Sequence, residues 1–449
     1  MELCKDIKTM QYPRVLIVCL GRINAMDTDN NGLLLRDLFN AWPKENLAQI
    51  YSSGDNGDAG FFGRYYQLGP KDRRFGHLFY RTKTELQSIK ASKAAHTSAK
   101  QSGKITALQS VLDQYIINTG LFEVIFRPRL SPEMLSWVNE FQPDVIFAQG
   151  YNLTFTWLTV MIKKATNARL AFYTTDDWPA YLYSGQLGEP TIFKWAIRPV
   201  VEKATKNLLM NTDVPFAFGQ PMTDEYARRY NKVFITLSHS DDPSRFEKAI
   251  PHRCHPEDVF SILAVGNFNR YRWPLLLDIN ACCNMLNEHG INARVAVLSA
   301  GIDPAGLSEL SQAKYIDILE DPGNDDMPSY LKGADLLLLV ECFDEMYASA
   351  IRLSISTKSH LFMFSQRPII VYGHPDTGVV IYAKAYQWAY AVTQRDIHLL
   401  FKTVNTAYSN KCMNDNIIKN AMLTASRFHV KEWNQLKFLK SLKKPILSE

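Results

Sequence analysis

Residues 330–373 constrain the fold most. They hold two short apolar runs, 336–340 and 368–372, each flanked by turn or polar residues. Such runs without alternation suit strands buried on both faces, as in a parallel sheet covered by helices. Between them the chain reads as an irregular loop and then a helix. Where a helix should begin stand Ser354, Ile355, Ser356, Thr357 and Lys358, hydroxyls plus one lysine. A helix start carries free N–H groups and a partial positive charge, which suit a phosphate. A loop-to-helix turn of this kind, late in an α/β chain, predicts a site for a nucleotide diphosphate.

The chain has 449 residues, long enough for two ordinary cores. Its 46% hydrophobic and 21% charged content is that of a globular protein. A net charge of +5 is too small to argue for nucleic acid. It is compatible with an anionic ligand or an anionic membrane face. Seven cysteines in a chain this long make no disulfide framework, and a reducing cytosol is the simpler reading. Lys5, Asp6 and Lys8 break up any apolar leader at the amino end. No apolar run reaches the roughly 18 residues of a membrane span.

The order of elements repeats one plan twice. The run 14–20, Gly21, a polar loop over 24–31, Gly32 and a helix from Leu33 form strand, loop and helix. That is how a doubly wound α/β domain opens. Strands follow at 145–148, 170–173 and 215–218, with helices between. From Ser238 to Asp258 three prolines fall among polar clusters without periodicity, which reads as a linker. A second unit then opens with a strand over 260–265, a loop over 266–270 and a helix over 273–288. The next strand is read at 294–298, with its loop at 299–301. The expected division is an N-terminal domain over 1–238, a linker over 239–258, a C-terminal domain over 259–415 and a basic helical tail over 416–449. Ligands of open α/β sheets bind beyond the carboxyl ends of the strands. The ligand is therefore expected at the second domain's loops, facing a cleft between the two.

Three phrases in this order carry a family resemblance: ILAVGNFNRYRW from Ile262, DILEDPGNDDMPSYLKGADLLLLV from Asp317 and SISTKSHLFMFSQRPIIVYG from Ser354. Together the chain resembles the GT-B glycosyltransferases, in particular the large retaining family that builds bacterial polysaccharides. The resemblance implies two Rossmann-like domains facing a central cleft, with the donor on the second and the acceptor on the first. It implies sugar transfer from a nucleotide sugar to a saccharide or lipid-linked saccharide in a bacterial cytoplasm, with retained anomeric configuration. Family members carry a glutamate seven residues before the proline of the last strand, where it holds the donor ribose, and a partner eight residues further back. Here those positions are Leu361 and Leu353, while the Thr357-Lys358 pair of related branches is kept. Ribose binding then falls to other groups, or the chain belongs to a divergent branch.

Each candidate residue has a chemical rationale. Lys358 would offset diphosphate charge as the nucleotide leaves. Ser356 and Thr357 would donate to phosphate oxygens or cap the helix. Arg270 and Arg272, in the first loop of the second domain, suit phosphate, and Asn267 lies in that same loop. Glu341 and Glu345, after the strand ending at Val340, would accept sugar hydroxyls, with Asp344 between them. Glu320 would meet the base or ribose. On the acceptor side, Asp176 and Asp177 stand past a strand and suit an acceptor contact or a general base. Asn31 and Gly32 would bring backbone N–H groups to the transferring sugar. His252, Cys254 and His255 match no common zinc spacing. The Asp27-Thr28-Asp29 triplet follows the first strand of the opposite domain from the donor, so neither metal nor other cofactor is expected. The tail 431–444 alternates lysines with apolar residues and would either lie on an anionic bilayer or pack on its own protein. A nucleotide-sugar epimerase of the same fold, and a non-catalytic sensor or scaffold, are the competing readings.

Overall fold

The computed structural model describes residues 11–25, 30–53, 60–77, 120–181 and 194–443. It divides into two compact units. One runs to Thr236 and takes in the chain from Gln435 onward, and the other is Leu237–Asn434.

The first unit is built on β1 (Val15–Val18), β2 (Leu47–Tyr51), β3 (Arg64–Gln67), β4 (Val145–Ala148), β5 (Arg169–Thr174), β6 (Val214–Phe218) and β7 (Ile235–Leu237). Among the described residues they form one sheet in the order β3-β2-β1-β4-β5-β6-β7. Pairing from β3 through β6 is parallel. Strands β1, β2, β4 and β6 are buried at every residue, which is why β1, β4 and β6 read as unbroken apolar runs, while β2 carries the buried Gln49. The helix expected from Leu33 is Asn30–Phe39. Asn31 and the buried Gly32 therefore lie in its first turn, not in the loop before it.

The tail closes this core. In the helix Lys431–Lys443, Leu436, Phe438, Leu439 and Leu442 are buried. The Phe438 ring meets Phe39, Phe147 and Phe216 at centroid distances of 5.2, 5.6 and 5.3 Å. Burying one such ring stabilises by about 2–3 kcal/mol. The apolar side of the tail is thus spent within the protein, which removes the bilayer-facing reading for those residues. Lys444 lies outside the described residues. No described helix is long and apolar enough to cross a membrane.

The second unit is built on β8 (Phe260–Phe268), β9 (Ala293–Ile302), β10 (Ile316–Leu319), β11 (Leu336–Val340), β12 (Ile369–Tyr372) and β13 (Tyr390–Val392). The order is β10-β9-β8-β11-β12-β13, and every neighbouring pair is parallel. The chain moves outward from β8 to β10 and then crosses to β11 and moves the other way. The point of reversal lies between β8 and β11.

Two loops expected at strand ends are strand instead. β8 continues through Gly266 and Asn267 to Phe268, and β9 through 299–301 to Ile302, with a bulge between Gly266 and Asn267. Phe268 is buried and Ile302 packs on the same core, so apolar burial carries the pairing past the glycines. The bulge takes up the extra residue.

Residues 239–258, expected as a linker, belong to the second unit. Asp242 accepts from the Ser244 N–H at 2.9 Å and Pro243 opens a helix, Pro243–Lys248. Asp242 and Pro243 are thus helix-start chemistry, while Pro251 and Pro256 lie in irregular chain. Lys332 Nζ holds that helix by donating to the Phe246 and Ala249 carbonyls at 2.8 and 2.9 Å.

Candidate active site

At the reversal point, β8 hands over to a turn in which the Arg272 N–H donates to the Asn269 carbonyl at 2.9 Å. The helix Trp273–Glu288 starts immediately afterwards. β11 ends at Val340, and Glu341 follows. Its N–H donates to the Tyr372 carbonyl at 2.8 Å. Arg272 reaches across the two strand ends to Glu341: Nε and Nη2 both donate to Oε2, at 3.2 and 2.6 Å. The arginine side chain is 22% exposed and the carboxylate 4%. Burial alone lowers the guanidinium pKa, but the Glu341 carboxylate more than offsets this and holds it above its ordinary value.

Lys358 enters the same charge set. The helix expected to begin among 354–358 begins one residue later and is short, Ser359–Phe364. It packs against the helix Gly323–Gly333, which follows β10. Burial pushes the Lys358 ammonium below its ordinary pKa; Asp321 partly restores it and Arg272 adds to the depression. No carboxylate lies within ion-pair distance of Lys358 among the described residues. A half-buried ammonium coupled to a guanidinium, with Glu341 buried on the arginine and Asp321 exposed on the lysine side, is a place where an anion could be held.

The other expected groups are distributed around this centre. Ser356 is half-buried, and its Oγ accepts from the Lys358 N–H at 3.4 Å, so it braces the turn. Thr357 is half-buried beside it. Arg270 is exposed, with its guanidinium over the Tyr271 ring at 4.7 Å and donating to that hydroxyl at 2.6 Å. Tyr271 stacks in turn on Tyr347 at 4.3 Å. Asn267, exposed, is in β8 rather than in a loop. Glu320 and Glu345 are exposed; Glu345 opens the helix Glu345–Ala350, which Asp344 caps by accepting from the Tyr347 N–H at 2.8 Å. Glu341, expected as a hydroxyl acceptor, is instead committed to Arg272. Leu353 and Leu361 are buried, closed off by packing.

Beside Lys358 lies a cluster the sequence reading missed. His239, His360 and His429 stack with centroid distances of 6.1 and 6.0 Å. His429 Nδ1 donates to the His239 carbonyl at 2.6 Å, which leaves Nε2 to accept from the Tyr382 hydroxyl at 2.9 Å. Burial pulls His429 down to about 4 and His360 well below its ordinary value. The buried Ser359 Oγ and His360 Nδ1 have no hydrogen-bond partner among the described residues.

In the first unit, Asp177 follows β5 and is buried. Its Oδ1 accepts from Arg229 Nη1 at 2.7 Å and from the Tyr226 hydroxyl at 3.0 Å, and its Oδ2 accepts from Arg229 Nη2 at 2.9 Å. Both carboxylate oxygens are thus held within the unit. Asp176 is half-buried, and its carbonyl accepts from Thr174 Oγ1 at 2.9 Å. Asp27, Thr28 and Asp29 lie outside the described residues. His255 is bound to Ser261 Oγ and Asp317 Oδ2 at 2.8 and 3.0 Å, and His252 packs on Tyr330. Among the described residues no three histidine, cysteine or carboxylate side chains converge as a metal site.

No family model and no curated protein sequence matches the chain. Solved structures do. Trehalose-6-phosphate synthase OtsA, solved for the E. coli protein bound to UDP-2-fluoroglucose, superposes with a TM-score of 0.58 at 12% identity, covering 96% of this chain and 99% of that one. HepE of Anabaena, in complex with UDP and glucose, gives 0.57 at 10%, covering 96% and 100%. WaaG, a glycosyltransferase of lipopolysaccharide biosynthesis, gives 0.54 at 11%, covering 97% and 100%. At these identities the likeness speaks for the fold. The chain has the GT-B fold, an α/β architecture of two Rossmann-like units.

Proposed function

We propose that the protein is a glycosyltransferase that moves a sugar from a nucleotide-sugar donor to a saccharide or lipid-linked saccharide acceptor. The observation that carries this is the charge set at the reversal point of the second sheet. Lys358 and Arg272 stand there with one buried carboxylate, where open α/β sheets bind ligands. The names of the structural neighbours support the donor class, since OtsA and HepE were solved with UDP or a UDP-sugar.

In this reading the bond between the anomeric carbon and the diphosphate oxygen breaks, and its electron pair stays on the diphosphate. Lys358 and Arg272 offset that charge, which is the main electrostatic demand of the step. With retention, a leaving-group oxygen takes the proton of the acceptor hydroxyl as the new bond forms on the same face. No strong protein base is then required, consistent with Asp177 being held by Arg229. A role in polysaccharide assembly, on the cytoplasmic side and without a metal, completes the proposal.

The test is a panel of nucleotide sugars offered with and without saccharide acceptors, with product configuration read by NMR. Transfer with the donor's anomeric configuration is expected. An inverted product rejects retention. Rearranged sugar without acceptor points to epimerisation, and binding without turnover to a sensor.

A further inference from the structure

Arg272 is already occupied. Both of its hydrogen-bonded nitrogens converge on one oxygen of Glu341, a side chain only 4% exposed. Glu341 is also fixed at its backbone. Its N–H is bonded to Tyr372, and Gly373 packs so closely that an added Cβ would come within 2.6 Å of the Glu341 Cβ. The carboxylate therefore sits at a set place across the strand ends, where an anion bound to Arg272 would otherwise lie.

The geometry points to Glu341 as an internal counter-ion that competes with the diphosphate for Arg272 and drives product release. This rests on the proposed glycosyl transfer but is separable from it. A diphosphate that takes the Nε and Nη2 edge of Arg272 does so by displacing Glu341 from it. The carboxylate contends for the guanidinium and repels the bound anion throughout, which weakens the hold on the nucleoside diphosphate left after transfer. Glu341 acts through Arg272 and is a positioning residue. A built-in repulsive group of this kind lowers affinity for the product while leaving the site charged for the transition state.

The experiment is calorimetric titration of inorganic pyrophosphate into the full chain as wild type, Glu341→Gln and Glu341→Asp, with circular dichroism to establish folding. Glutamine keeps an acceptor for Arg272 without the charge. Aspartate keeps the charge but withdraws it from the guanidinium. Pyrophosphate is expected to bind Glu341→Gln about tenfold more tightly than wild type, and Glu341→Asp by an intermediate factor. If Glu341→Gln does not fold, the aspartate variant alone decides. In turnover, Glu341→Gln should lower kcat and strengthen inhibition by the nucleoside diphosphate product. Equal or weaker pyrophosphate binding in the folded variants overturns the inference, as does absence of binding in all three proteins. Tighter binding without any nucleotide-sugar turnover leaves the counter-ion standing and removes the transferase reading.

Discussion

After β5 in the first unit, Asp177 meets Arg229 and Tyr226, and both of its oxygens are used. After β8 in the second unit, Arg272 meets one oxygen of Glu341, while Lys358 beside it has no ion-pair partner among the described residues. The residue types are similar and both places lie past the carboxyl end of a strand. They differ in balance. A saturated pair holds structure together, whereas a half-buried ammonium without a close ion-pair partner gains from an arriving anion. That contrast makes the second unit the candidate binding unit.

The comparison can be broken in several ways. The largest effect is expected from Lys358→Ala, which should lose roughly 10²–10³-fold in kcat/KM with folding intact, the scale of removing one electrostatic contact to a developing charge. Near-normal turnover would place the diphosphate elsewhere. Asp177→Asn should behave oppositely. Removing that charge leaves Arg229 to Glu225, which it meets at 3.0 Å, and costs about 1–3 kcal/mol in urea unfolding, with kcat per folded molecule little changed. A large loss of kcat at unchanged stability would return Asp177 to the chemistry.

The next effect is in stability against pH. His429 and its stacked neighbours are held neutral in the fold, with His429 at about 4 against an ordinary 6.5. The unfolded chain binds more protons between those values. Stability is therefore full above about 6.5 and is lost as pH falls toward about 4, by about 3 kcal/mol for His429 alone. Denaturant melts at pH 7.0, 5.5 and 4.5 measure it, and His429→Gln should flatten the slope. A flat wild-type profile contradicts the burial argument. The smallest effect is expected at Arg270, which is exposed and folded onto Tyr271. Arg270→Ala should change kcat/KM by less than about threefold.

The sequence revealed the strands whose runs are apolar on both faces, as Leu336–Val340 and Ile369–Tyr372 are, and missed β2, β3 and β7, of which β2 is interrupted by Gln49 and β3 is polar and partly exposed. It misplaced the ends of β8 and β9, since Gly266 and Gly301 read as loop while burial of Phe268 pulls the chain on as strand. It also read 239–258 as linker, because the prolines and aspartates that start a short helix share the composition of a turn. Arg272 and Lys358 were named as candidates from their positions after a strand and near a helix start. Their partners were not: Glu341 is 69 residues from Arg272, and Arg229 is 52 from Asp177. Nor does any periodicity connect His239, His360 and His429, which come from three separate segments. Pairings of this range are made by topology and leave no local mark.

The most direct test of the central claim is a crystal structure of the protein with a nucleoside diphosphate carrying a sulfur on the terminal phosphate, located by its anomalous signal. The account predicts phosphate oxygens about 3 Å from Lys358 Nζ and from the Arg272 guanidinium, between the ends of β8 and β11. A diphosphate held at another place, with both cations left uncontacted, would contradict it.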